Sequence, residues 1–254
     1  MLMTVLQNAS DVLRLFGSGC SDLTVTEVTT RLGIPKANAS RLLKAMRDAG
    51  MLETIGDTRR HRPGRMMLDL ASAFRKSLGV IGQAGEVVAA VTERFGHTGY
   101  VSLREGREVT AVADFPGTND LRVVSNIGRR LTAHGSATGR TLLARMSDAE
   151  VQAVYAGRPE LDGLLPRLDA IRASGFAYSS QESTPGVDAI AIAVGDPTTE
   201  EAVSLCIVYP HAVVGEDDRD EMLAALASGA TRIARDLGDA KFVAPRIPEK
   251  GLFA

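Results

Sequence analysis

Apolar residues near the start of the chain fall at helical spacing three times in succession. Leu2, Val5, Leu6, Ala9, Val12, Leu13 and Phe16 recur every three to four residues, which predicts a first helix over 2–16. Gly17-Ser18-Gly19 stops it, as glycine past a helix end does. Thr24-Val25-Thr26-Glu27 then reads as a capping box, because a Thr hydroxyl and a Glu three residues later can satisfy each other's backbone amides. The helix it opens runs to about Leu32. Gly33 permits a tight turn, and Pro35 stands where a new helix starts. On a helical wheel, 36–48 divides into two faces. Ala39, Leu42, Leu43 and Met46 share one, while Lys36, Ser40, Arg41, Lys44 and Arg47 share the other. Asn38 lies near the boundary in the first turn.

Further along, Leu68, Leu70, Ala71, Phe74 and Leu78 predict a linker helix over 68–79, followed by a longer apolar helix over 80–95. The period then changes. Short strands are predicted at 100–104 and 109–115 around a Glu105-Gly106-Arg107 turn. Helices follow at 136–146, from a Ser147–Glu150 capping box, and at 161–173 up to Gly175. Strands at 176–182, 188–194 and 202–209 precede a last amphipathic helix over 217–237. The tail from Lys241 lacks periodicity and reads as irregular. The fold class is α+β, with an antiparallel sheet flanked by helices in the body.

Charge sharpens the division between head and body. Between Lys36 and Arg65 there are eight basic and three acidic residues, a net of +5, while the whole chain of 254 residues carries only −2. Two short helices, a glycine turn and then an arginine-rich hairpin bearing Arg59, Arg60, Arg62 and Arg65 form the layout of a winged helix-turn-helix. Concentrated positive charge is the footprint of phosphate binding, which makes duplex DNA the expected partner. No apolar run approaches a membrane span, and Met-Leu-Met-Thr-Val lacks the basic start of an export signal. A soluble, cytoplasmic chain is expected. Cys20 and Cys206 form no CxxC or zinc spacing, so neither a disulfide nor a structural metal is expected.

A search for catalytic chemistry returns little. His61, His97, His134 and His211 belong to no metal-ligand spacing. Gly135-Ser136-Ala137-Thr138-Gly139 is not a nucleophile elbow, because Ser136 directly follows the first glycine. It reads either as a helix N-terminus whose amides could hold an anion or as plain N-capping by Ser136. Cys206, in an apolar strand without a partner thiol, reads as a small hydrophobe. The acids Glu216-Asp217-Asp218 suit the start of a helix dipole. No enzyme activity and no cofactor are expected.

Four segments resemble the IclR-type transcriptional regulators, in the correct order along the chain. They are Pro35-Lys36 through Arg41-Leu42-Leu43; Leu131 through Arg140 with Leu142-Leu143-Ala144; Ile171 through Tyr178 with Gln181-Glu182; and Gly186 through Val194. The resemblance implies a winged helix-turn-helix at 1–67, a linker helix at 68–79 and a GAF-like effector-binding and oligomerisation domain at 80–254. It implies a homodimer or dimer of dimers on DNA. By position it puts Ala137, Thr138, Ser179, Val187, Ala189, Cys206 and Val208 around a small-molecule pocket, with Leu121 as a further candidate.

These readings combine into one functional expectation. Ala37, Asn38, Ser40 and Arg41 face bases, while Lys36, Lys44, Arg59, Arg60 and Arg62 meet phosphate or the minor groove of a near-palindromic operator. The protein is expected to be a repressor of a nearby catabolic gene. Its effector is expected to be an aromatic or medium-sized apolar carboxylic acid, or an amide-like derivative, because apolar walls end in a few donors. The alternatives are a GAF-like enzyme that uses the Cys206 thiol, and a DNA-binding protein that needs no effector.

Overall fold

The computed structural model describes residues 2–17, 19–77, 79–124, 128 and 130–246. Ser18 in the expected helix stop, Leu78 in the expected linker, and the tail beyond Arg246 lie outside the described residues. The chain divides into two compact units, 1–77 and 78–254.

The first unit is built on three helices, α1 (Leu2–Gly17), α2 (Val25–Leu32) and α3 (Lys36–Asp48). The capping box closes as expected. The Thr24 hydroxyl accepts from the Glu27 amide, and the Glu27 carboxylate accepts from the Thr24 amide at 2.7 Å. Gly33 ends α2 in the left-handed region, with φ of 65°, which a side chain would resist. Ala39, Leu42, Leu43 and Met46 turn inward against Val12, Leu23 and Val28. The basic hairpin is a pair of short antiparallel strands, β1 (Leu52–Thr54) and β2 (His61–Pro63). A single bridge between Leu23 and His61, with both backbone bonds at 2.8 Å, ties the segment before α2 to them. Helix α4 (Arg65–Ser77) begins three residues before the expected Leu68.

The second unit opens with α5 (Gly79–Phe95) and builds one six-stranded sheet. Its strands are β3 (Thr98–Glu105), β4 (Glu108–Phe115), β5 (Arg130–Thr132), β6 (Ala177–Ser180), β7 (Val187–Asp196) and β8 (Glu201–Pro210). They lie in the order β5-β4-β3-β8-β7-β6, and every neighbouring pair is antiparallel. Helix α5 and α9 (Glu216–Leu237) cover one face. Ile190, Ile192, Val194, Leu205 and Ile207 point into that layer against Val88, Leu223 and Leu226. Each such fully buried side chain contributes about 1.5–3 kcal/mol.

Alternation sends the intervening residues to the opposite face. There the sheet meets α6 (Ala137–Ala144), with α7 (Asp148–Val154) and α8 (Leu164–Ser174) beyond it. Gly139 lets the first turn of α6 press onto the Ala133 backbone, space that a Cβ would fill.

Several expected boundaries move. Helix α8 starts at Leu164 rather than Leu161, after a 3-10 turn at Pro159–Leu161. The strand expected over 176–182 ends at Ser180, where Gln181 adopts φ of 57° and breaks the extended run. Strand β5 is three residues long and lacks a periodic signature. The tail is irregular but anchored as far as it is described, with the Arg246 amide donating to the Ser174 carbonyl at 2.9 Å.

Candidate functional site

Helix α3 keeps Lys36, Ala37, Asn38, Ser40, Arg41 and Lys44 exposed while Ala39, Leu42, Leu43 and Met46 are buried. Arg41 Nη2 donates to Asn38 Oδ1 at 2.7 Å, so two of the expected base-facing residues are held together. The wing arginines differ among themselves. Arg59 is exposed at the hairpin tip. Arg62 pairs with Glu53 across the wing at 2.6 Å. Arg60, expected to meet phosphate, turns back instead: its guanidinium engages Asp22, and its Nη2 lies 3.3 Å from Glu27 Oε1.

The second unit contains a partly enclosed cavity of about 110 Å³ between the sheet and the start of α6. Register explains its walls. Ala189 pairs with Val208, and Cys206 lies between Ala191 and Tyr100 on the neighbouring strands. Ser136 caps α6 by accepting from the Gly139 amide at 3.1 Å. The Ala137 and Thr138 amides, first in the helix, have no carbonyl one turn earlier to bond. Ala137, Thr138, Val187, Ala189, Cys206 and Val208 therefore meet around one space. Two expected residues do not line it. Ser179 is buried beside Ala189 in the sheet, and Leu121 is exposed.

Sequence reasoning missed Tyr100, Ser102, Val109, Ala111, Val123, Val124, Leu131, Ser136, Ser183 and Thr184 as lining residues. Strand parity could have found the first four, since Tyr100 and Ser102 share one face of a predicted strand and Val109 and Ala111 share one face of the next. No pattern marks Ser183 or Thr184, which lie in the loop between β6 and β7. Among the described lining residues none is Asp, Glu, Lys, Arg or His. A wider cleft of about 690 Å³ between α5 and α9 is open to solvent and lined by Arg94, Arg232 and Arg235. It lacks the enclosed apolar walls of a small-molecule site.

The loop carrying Ser183 and Thr184 is held by a buried arginine. Arg140, 1% exposed, donates to both oxygens of Glu182 at 3.0 and 3.1 Å, and to the Tyr178 and His134 carbonyls. Burial raises the Glu182 carboxyl, but Arg167 and Arg140 outweigh it and hold the group below the usual carboxylate range. Burial pushes the Cys206 thiol up to about 11. At neutral pH it is a protonated hydrophobe rather than a nucleophile. Glu216, Asp217 and Asp218 occupy the first turn of α9, and no cluster among the described residues could hold a metal. No helix among them is long and apolar enough to cross a membrane.

Two family models match the chain. The model described as the C-terminal domain of the bacterial transcriptional regulator IclR matches residues 73–235, and the IclR helix-turn-helix domain matches residues 5–56. The chain belongs to the IclR family. Its α3 and wing are therefore parts of a DNA-binding domain, and its sheet with the partly enclosed cavity is the IclR effector domain. Like the regulator XynR of Escherichia coli, to which it is 23% identical over 91% of its length and 96% of that protein's, this family member is a transcriptional regulator rather than an enzyme. An IclR transcriptional regulator from Alicyclobacillus acidocaldarius shares the fold, with a TM-score of 0.80, 22% identity, and coverage of 91% of this chain and 98% of that one. So does an IclR homologue from Microbacterium hydrocarbonoxydans solved with 4-hydroxybenzoate, with a TM-score of 0.77, 20% identity, and coverage of 92% and 99%.

Proposed function

We propose that this IclR family member is a homodimeric or tetrameric repressor whose operator affinity is set by an aromatic or apolar monocarboxylic acid, or its amide-like derivative, bound beside α6. One observation carries the reading: the cavity has mostly apolar walls, no charged side chain among its described lining residues, and a polar rim that includes the first amides of α6 and the Ser183 and Thr184 hydroxyls. Such a rim favours a carboxylate or carbonyl oxygen. A cation finds no counter-charge there, and a short, highly polar keto-acid leaves the Val187, Val208 and Leu131 walls uncovered. That a protein of the same fold holds 4-hydroxybenzoate supports an aromatic acid of this size.

In this reading Ala37, Asn38, Ser40 and Arg41 read bases, while Lys36, Lys44, Arg59 and Arg62 neutralise phosphate. Two heads on a two-fold axis read a near-palindrome with half-sites one helical turn apart. The effector acts by binding one of two arrangements of the heads more tightly than the other. The test has two steps. Selection from random duplexes identifies the operator, and thermal-shift titration with 4-hydroxybenzoate, benzoate, benzamide, pyruvate and glyoxylate identifies the ligand class. Stabilisation by an aromatic acid that also alters operator affinity is the expected result. Stabilisation by glyoxylate or pyruvate alone would refute the proposed ligand.

A further inference from the structure

Arg60 is the one wing arginine whose guanidinium turns back to the helix-turn-helix, and the contacts it makes are numerous. Its Nε engages Asp22, and its Nη2 lies 3.3 and 3.5 Å from the two oxygens of Glu27. Glu27 is itself fixed, since it accepts from the Thr24 amide and hydroxyl at 2.7 and 2.8 Å as part of the cap of α2. Next to this cluster, the Leu23 and His61 backbones exchange two bonds of 2.8 Å. The wing's second strand is therefore tied to the start of α2 twice, through its backbone and through one planar five-donor group. With Nε and Nη2 turned to two carboxylates, whose charges also offset its own, the guanidinium is a weaker partner for a phosphate.

We propose that Arg60 is a positioning residue: it locks the wing against the segment that starts α2, so that wing and α3 meet the duplex in fixed register, and it does not itself contact DNA. The proposal rests on the DNA-binding role of this domain. It makes a prediction whose sign opposes simple electrostatics. Asp22 belongs to a domain that binds a polyanion, so its neutralisation on charge alone tightens DNA binding. If Asp22 instead holds Arg60 in place, the same change loosens the wing and weakens binding. Lysine at position 60 keeps the charge but loses the fork that spans two carboxylates.

The experiment uses the full chain and a fluorescent operator duplex selected from random sequence by the wild-type protein. Anisotropy titrations at several salt concentrations compare wild type, Asp22→Asn, Arg60→Lys and Arg60→Ala, with a thermal melt of each variant confirming a folded head. All three variants are expected to bind the operator about fivefold more weakly, the scale of a partly exposed ion-pair network, with an unchanged salt slope. Tighter or unaltered binding by Asp22→Asn overturns the proposal. So does a fall of about one in the salt slope of Arg60→Ala, which is the signature of a lost phosphate contact. If selection enriches no sequence, the failure belongs to the operator-binding reading and not to Arg60.

Discussion

Arg140 reaches out of the first turn of α6 and grips Glu182 with both arms, at 3.0 and 3.1 Å. The pair joins the two elements that form the polar rim of the cavity, because Ala137 and Thr138 precede the arginine and Ser183 and Thr184 follow the glutamate. Arg140 is almost fully buried, so removing its partner leaves an uncompensated interior charge. Glu182 is itself one-third exposed, which lets water soften the loss. Glu182→Ala should therefore cost about 2 kcal/mol, less than the roughly 3–5 kcal/mol of a wholly buried pair. Urea melts measure this; a loss below about 0.5 kcal/mol would mean that solvent already screens the pair.

Filling the cavity should separate its two outputs. Ala189 projects into the space from β7, remote from the helix-turn-helix in sequence and held in a separate compact unit. Ala189→Leu should cost about 1–3 kcal/mol through overpacking. Operator affinity without effector should persist, while the thermal shift given by 4-hydroxybenzoate in the wild type should vanish. A full ligand response in this variant would place the effector somewhere else.

Cys206 offers a probe that needs no mutation of the walls. With its pKa raised to about 11 by burial, the thiol is protonated at neutral pH and shielded by the sheet. Cys20, half-exposed beside the Arg31 guanidinium, should react with an aromatic disulfide first. Cys206 should react much more slowly, and more slowly still with a ligand in the cavity. Mass spectrometry of the labelled peptides checks the order. Rapid labelling of Cys206 would show that the cavity opens freely to solvent.

What could be read in advance followed local physics. The Thr24–Glu27 box, the Gly33 stop and the inward face of α3 depend on neighbours within one or two turns, and each is found as expected. Arg60 shows the limit of that kind of reading. Its charge is visible in the sequence, but its partner Asp22 is 38 residues away and becomes its neighbour only when the wing folds back. The cavity divides in the same way. Ala137 and Thr138 announce themselves as a helix start, whereas Ser183 and Thr184 become walls only because the loop after β6 folds back to the cavity, where Arg140 holds the neighbouring Glu182. Ser179 lies outside the cavity lining for a related reason: it sits on the edge strand with Ala189 on its only paired side.

Acid should weaken the protein through a histidine that plays no part in binding. His97 is 7% exposed, tilted against the Tyr209 ring with centroids 5.7 Å apart, and within 3.5 Å of the Asn119 amide. Burial lowers its pKa below 6.5, and the negative charge of Asp218 only partly offsets this. In the unfolded chain the imidazole takes up its proton near pH 6.5, while the folded protein resists until lower pH. Between those two points the unfolded state binds more protons, so stability falls as the pH is lowered. His61 behaves in the same direction, lowered by burial and by Arg47. Each site can tilt the stability curve by at most about 1.4 kcal/mol per pH unit. His97→Gln removes one of the two, so its melting temperature should fall less steeply than that of the wild type from pH 6.5 downward. Parallel curves for the two proteins would mean that His97 is protonated as readily inside the fold as outside it.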